Sequence, residues 1–145
     1  MAVEINRTSK DLILDPITVL EALPNPLFTI DSKNEISYLN PSAELFFDGS
    51  SMALQGVALS ELLPGDMPLF DMINQARTNG ISISDYDLVI ETPRIGIKVV
   101  NIGISPIPDS DGSVIISLFE RSIAQKLHHQ EQFRGAARSI SGMAA

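Results

Sequence analysis

Three groups of residues have the types and spacing from which chemistry is built. Asp85-Tyr86-Asp87 sets two carboxylates two positions apart. On a strand they share a face about 7 Å apart, and paired carboxylates in a closed cleft are the machinery of acid–base hydrolysis. No other catalytic group lies nearby in sequence, and an exposed polar strand face explains the pattern. A small α+β enzyme using Asp85 and Asp87 is one alternative. Asp109-Ser110-Asp111-Gly112 opens like a calcium loop, but the later bidentate Glu is missing and Val114–Leu118 is strand-like, which leaves hairpin-turn chemistry. His128-His129 offers imidazoles for phosphoryl transfer or a metal. Adjacent helical residues point about 100° apart, whereas a shared metal wants i,i+4 spacing. The pair reads as solvated. No catalytic residue, metal site or cofactor is assigned.

Composition narrows the remaining classes. The 145 residues include no cysteine and no tryptophan, which excludes disulfides, thiolate metal sites and cysteine nucleophiles. At 44% hydrophobic residues, the chain can build a proper, mostly aliphatic core. No apolar run approaches the ~18 residues that cross a bilayer. The N-terminus lacks the basic-then-apolar order of a secretion signal, so the expected location is the cytoplasm, with no membrane partner. The formal charge is −8, and residues 121–145 carry Arg121, Lys126, Arg134 and Arg138 against Glu131 alone. The body before them is therefore strongly acidic, which argues against nucleic acid, because phosphate neutralisation needs clustered Lys and Arg.

The elements that must position these groups are legible in order. Residues 1–10 read as weakly ordered. Asp15-Pro16 is a capped helix start, and Ile17, Leu20 and Leu23 give an apolar stripe that ends at Pro24. Leu27–Asp31 and Glu35–Asn40 read as a strand pair around the turn Ser32-Lys33-Asn34. Phe28 and Ile30 share one face of the first strand, and Ile36 and Tyr38 share one of the second. Asn40-Pro41 then opens a short helix ending at Asp48-Gly49. Met52–Leu63 carries little periodicity, with one or two short turns. From Pro68, Leu69, Met72, Ile73 and Ala76 recur at helical spacing until Asn79-Gly80.

Three strands follow. In Ile81–Glu91 the apolar parity switches from Ile81 and Ile83 to Tyr86, Leu88 and Ile90, which predicts a bulge or a strand start near Asp85. Arg94–Ser105 shows a similar switch, from Ile97 and Val99 to Val100, Ile102 and Ile104. Val114–Phe119 reads as a strand buried on both faces. Two strands and then three, with the helices on one face, make an α+β arrangement around a five-stranded antiparallel sheet. From Arg121 a helical composition takes over, and Ile123, Gln130, Phe133, Ala137, Ile140 and Ala144 form a weak heptad-like seam. Fraying is expected beyond Gly135. The expected division is a tail and helix at 1–23, a domain at 24–120, and a signalling helix or linker at 121–145.

The run LFTIDSKNEISYLNPSAELFF, with its Asn40-Pro41-Ser42-Ala43 junction, resembles the start of a PAS domain. The helical midsection and the closing three strands follow PAS order. The tail Phe133–Ala145, FRGAARSISGMAA, resembles the segment just upstream of the phosphoacceptor histidine in NtrB-type sensor kinases of nitrogen regulation. That family's motif, a His followed by Glu and then Asn-Pro, does not occur here, and neither does an ATP-binding domain. What the resemblance implies is therefore the N-terminal sensor portion of a two-component histidine kinase, not itself an enzyme. A response regulator of the NtrC type and a PII signal protein are the implied partners of the whole kinase.

PAS domains can hold haem, flavin or organic acids, but there is no Cys for a flavin adduct and no His before position 128 for haem. A candidate pocket or core is lined by Phe28, Ile30, Phe46, Leu54, Leu62, Phe70, Ile73, Val99, Ile102 and Phe119. Arg77, Arg94 and Lys98 are the cations nearby in sequence for an anionic metabolite, and a metabolite-sensing PAS domain is the second alternative. The main expectation is a closed core in a homodimer. Ile17 and Leu20 of the first helix, with Ile123, Phe133, Ala137 and Ile140 of the last, pair with a second copy and pass a shift in register or splay onward.

Overall fold

The computed structural model describes residues 13–121. The sequence marks where each element begins and ends. Helix α1 spans Pro16–Ala22; Asp15 caps it by accepting the Ile17 N–H at 3.0 Å, and Pro16 opens its first turn. Strands β1 (Leu27–Ile30) and β2 (Ile36–Leu39) follow, then helix α2 (Pro41–Phe47). Asn40 caps α2, and Asp48 ends it in the left-handed conformation at φ 55°. Two single-turn helices, α3 (Ser51–Leu54) and α4 (Leu59–Leu62), cross the midsection where the sequence shows little periodicity. Helix α5 (Pro68–Asn79) buries Leu69, Met72, Ile73 and Ala76, the stripe its spacing predicts, and stops at Gly80 with φ 64°. Strands β3 (Ile83–Thr92), β4 (Gly96–Pro106) and β5 (Val114–Arg121) complete the described chain. None of the described helices is long and apolar enough to cross a membrane.

The strands form one five-stranded sheet in the order β2-β1-β5-β4-β3, with every neighbouring pair antiparallel. The join between the early pair and the later three is β1 on β5, with Leu27 opposite Ser117 and Ile30 opposite Val114. The core lies on one side of this sheet. Phe28, Ile30, Ile36, Leu39, Val100, Ile102, Ile104, Val114, Ile116 and Leu118 pack there against α2–α5. Phe47 meets Phe28 and Phe46 edge-on, with ring centroids 5.2 Å apart in each case. The outer edge of β2 is covered as well. Ile36 donates to the Val57 carbonyl at 2.9 Å and accepts from the Gly56 N–H at 2.8 Å, so residues 56–58 close an edge that would otherwise template a foreign strand.

Three strand expectations are corrected. Thr29 pairs with Tyr38, but Ile30 pairs with Ile36, which leaves Ser37 as an extra residue. The slip inverts the parity of β2, so Leu39 rather than Tyr38 joins Ile36 in the core. The switch in β3, by contrast, is the bulge its parity predicts: Asp85 faces Ile102 and Leu88 faces Val100, with Tyr86 and Asp87 set against Asn101 alone. Strand β4 has no such slip against β5; its two parities are simply its two faces. Finally, β5 is fully buried only on the helix side. Val114, Ile116 and Leu118 are inside, while Ser117 and Phe119 are exposed, as befits a central strand whose other face carries no helix.

Candidate functional site

The residues most closely held together lie where α1, β1 and α2 converge beside the end of β5. Asn40 is the only fully polar side chain in the buried set of the described residues, at 0% exposure. Its Oδ1 accepts the N–H groups of Leu27 (3.0 Å) and Ala43 (2.9 Å). Its Nδ2 donates to the carbonyls of Leu20 (3.2 Å) and Asn25 (3.0 Å). Two acceptor and two donor contacts use the amide fully, the condition under which a buried polar group is tolerated. Ser42 adds a bond from its hydroxyl to the Leu23 carbonyl at 3.1 Å. The last turn of α1 is thereby pinned to the first turn of α2.

Pinned in this way, α1 buries none of its residues. Ile17 and Val19, with Ile13, Leu14 and Leu23 beside the helix, are exposed, and Leu20 is half-buried. Next to α1 is a cleft of about 370 Å³ lined by Pro24, Pro26, Leu45, Phe46, Lys98 and Phe119 among others. Leu45 is 84% exposed and Phe119 54%. The cleft mixes these apolar side chains with Asn25, Ser42, Lys98 and Glu120, and reaches from Pro24, just after α1, to the end of β5.

The ten candidate pocket residues do not meet around one cavity. Phe28, Ile30, Phe46, Leu54, Ile73 and Ile102 belong to the packed core, with Leu62 and Phe70 at its margin. Val99 and Phe119 are elsewhere. Val99 is buried on the open face of the sheet, in register between Val89 and Arg121, and Phe119 points outward next to it in β5. Both belong to apolar doublets, Val99-Val100 and Leu118-Phe119, in which hydrophobicity alone does not say which member faces in.

The candidate chemistry is rearranged too. The bulge puts Asp85 opposite Ile102 on the helix side, whereas Asp87 bonds Asn101 and Arg121 on the open side. Asp85 and Asp87 are therefore not the co-facial carboxylate pair expected of an unbulged strand. Asp85 instead accepts the neighbouring Tyr86 N–H at 2.8 Å. Asp109 adopts φ 59° and Gly112 φ 84° in a tight connection between β4 and β5, as hairpin chemistry predicts. Arg77 donates to the Gly112 carbonyl, the Asp31 carbonyl and Asn34 Oδ1 at 2.9, 3.2 and 2.9 Å. Arg94 bonds the Asp48 carbonyl, and Lys98 pairs with Glu120 at 2.8 Å. All three cations near the candidate pocket are thus engaged with the protein. His128, His129, Ile123, Phe133, Ala137, Ile140 and residues 1–10, expected to be weakly ordered, lie outside the described residues.

Among the described residues, one buried side-chain group is left without a partner. The Tyr38 hydroxyl is closed off from solvent and makes no hydrogen bond. Burial, with the carboxylates of Glu21 and Glu44 nearby, raises its pKa above the ordinary 10.0. The folded state therefore holds this proton more tightly than the unfolded chain does. Stability is full below the unfolded pKa of about 10 and falls as pH rises through the folded value. Tyr38→Phe is expected to leave the melting temperature at neutral pH unchanged or higher, and to shallow its decline above pH ~10. A clear loss of stability at neutral pH would show that the hydroxyl has a partner.

A family model described as the PAS fold matches residues 15–123. The chain belongs to the PAS family. Among curated relatives, the sensory histidine kinase/phosphatase NtrB of Azospirillum brasilense is 34% identical over 132 residues, covering 91% of this chain and 33% of that protein. The NtrB of Rhizobium meliloti is 34% identical over 130 residues, covering 89% of this chain and 34% of that protein. The chain therefore spans about a third of the length of these relatives. Among solved structures, the PAS domain of nitrogen regulation protein NR(II) from Vibrio parahaemolyticus superposes with a TM-score of 0.66 at 23% identity, covering 75% of this chain and all of that one. The Asn40-Pro41 junction and the five strands fall within the matched residues. The Asn40 donor bonds, the Arg77 clamp and the Asp87–Arg121 pair are contacts the sequence reading did not find; the only advance signal was the broken parity around Asp87.

Proposed function

We propose that this PAS domain is the sensor and dimerisation portion of an NtrB-like nitrogen-regulation histidine kinase, and that it relays its state through the helix expected at residues 121–145. The observation that carries the reading is α1, whose last turn is hydrogen-bonded to α2 while its apolar side chains stay uncovered. The tether fixes α1 on its own domain, and exposed apolar surface at a fixed place favours a second copy as its cover. The similarity to NtrB supports the rest: a phosphotransfer core beyond this domain, with an NtrC-type response regulator and a PII protein as partners of the whole kinase. A metabolite between helices and sheet is the competing reading; against it, Phe47 packs edge-on with Phe28 and Phe46 in the core there.

A chimaera with this chain in place of the matching third of Azospirillum NtrB tests the relay. One residue inserted after Arg121 turns a following helix by about 100°. It is expected to change the kinase-to-phosphatase ratio on the order of tenfold, the effect of a ~1.4 kcal/mol bias between two states. Seven inserted residues, about two turns, restore the phase and the ratio. Equal ratios in all three proteins would contradict a relay through this segment.

A further inference from the structure

We propose that Asp87 and Arg121 are positioning residues which, with Lys98 and Glu120, clasp the chain where it leaves β5 and set the direction of the residues that follow. Glu120 and Arg121 are consecutive strand residues and so point to opposite faces of the sheet. Each is held from another strand. On the helix side Glu120 takes the Lys98 ammonium of β4 at 2.8 Å; on the open side Arg121 reaches past β4 to the Asp87 carboxylate of β3 at 2.6 Å. The last two residues of the strand are therefore gripped from both faces.

The backbone at Asp87 separates this pair from an incidental surface contact. Four non-glycine residues among those described have left-handed φ: Asn34, Asp48, Asp87 and Asp109. Asn34 and Asp109 lie in the connections between β1 and β2 and between β4 and β5, and Asp48 caps α2. Asp87 alone adopts it, at φ 57°, inside a strand. An L-residue keeps that conformation in a strand only where its surroundings impose it. Here the Asp87 N–H donates to Asn101 Oδ1 at 3.1 Å while the carboxylate accepts from Arg121. Without the bulge, strand alternation would put Asp87 on the helix side with Asp85, out of reach of Arg121. The distortion thus presents one carboxylate to the last residue of β5, at the junction with the segment proposed above as the relay. Any consequence for kinase output rests on that relay, but the clasp itself does not.

The chain has no cysteine, so spin labels can be placed at will. Labels on Q75C and Q125C report the exit direction against α5, and labels on Q75C and S110C report the integrity of the domain. Both are read by pulsed electron resonance after dilution with unlabelled chain, so that only intramolecular pairs contribute. D87N is expected to displace or broaden the 75–125 distance distribution and to leave the 75–110 distribution unmoved. R121Q should do the same, and the double variant no more than either single change, because both remove one interaction. Raising the salt concentration should move the wild-type 75–125 distribution toward that of D87N without moving D87N further. D87G keeps a residue at ease with left-handed φ and carries the test if D87N disturbs the 75–110 pair. Unchanged 75–125 distances in these variants, or singly additive effects, would overturn the clasp. Shifted distances in a chimaera of unaltered kinase-to-phosphatase ratio would keep the clasp and remove the relay.

Discussion

Asn40→Asp is expected to be among the most damaging single substitutions in this domain, and its penalty should grow with pH. The amide nitrogen of Asn40 donates to the Leu20 and Asn25 carbonyls. Replacing it with an oxygen sets an acceptor against two acceptors in a fully buried site. The ionised form also carries an unpaired charge there, so the new carboxyl stays protonated in the folded state well above its ordinary pKa of about 3.9. Its folded pKa is raised, so the variant is most stable below pH ~4 and loses stability as pH climbs toward that folded value. At neutral pH the loss is about 4 kcal/mol or more. Asn40→Ala strands the same two carbonyls and also the Leu27 and Ala43 N–H groups, for about 3 kcal/mol with little pH dependence. Urea denaturation of both variants across pH 4–8 checks this. Parallel pH curves for N40D and N40A would show that the site is wetter or looser than its bonds imply.

Arg77→Lys should cost about 1.5–3 kcal/mol despite conserving charge. The guanidinium spans three oxygens on two separate turns: Gly112 between β4 and β5, and Asp31 with Asn34 between β1 and β2. An ammonium on a flexible stem cannot bridge both. Amide exchange should accelerate at the two turns more than at α5 itself, whereas uniform acceleration would mean that Arg77 acts only through overall stability. Gly112→Ala should loosen the same junction from the other side. Its φ of 84° disfavours a side chain, and the added methyl would lie 3.0 Å from Ser32 Cβ.

What could be seen in the sequence was what local chemistry decides. Asn40-Pro41 announces α2 because cap and first-turn preferences act within three residues, and the α5 stripe is legible because helical spacing is a local signal. What could not be seen depends on pairing partners. Tyr38 and Leu39 exchange faces only because Ser37 is left over opposite β1. Asp85 and Asp87 separate because Asn101, in another strand, faces two residues. The second pair of Asn40 bonds reaches 15 and 20 residues back, and the Arg77 bonds span 35 to 46. Composition carries no trace of such distances. Phe119 lies outside the core for a simpler reason: a hydrophobic residue on the uncovered face of a sheet looks the same in sequence as one inside.

The most direct test of a PAS module that functions as a pair is the sedimentation mass of the 145-residue chain over a wide concentration range, beside Ile17→Asp. The account predicts a wild-type mass rising to twice 15.7 kDa, with Ile17→Asp folded but held at the single-chain mass. A wild-type chain that stays at the single-chain mass at the highest concentration, or an Ile17→Asp variant that pairs as tightly as the wild type, would contradict it.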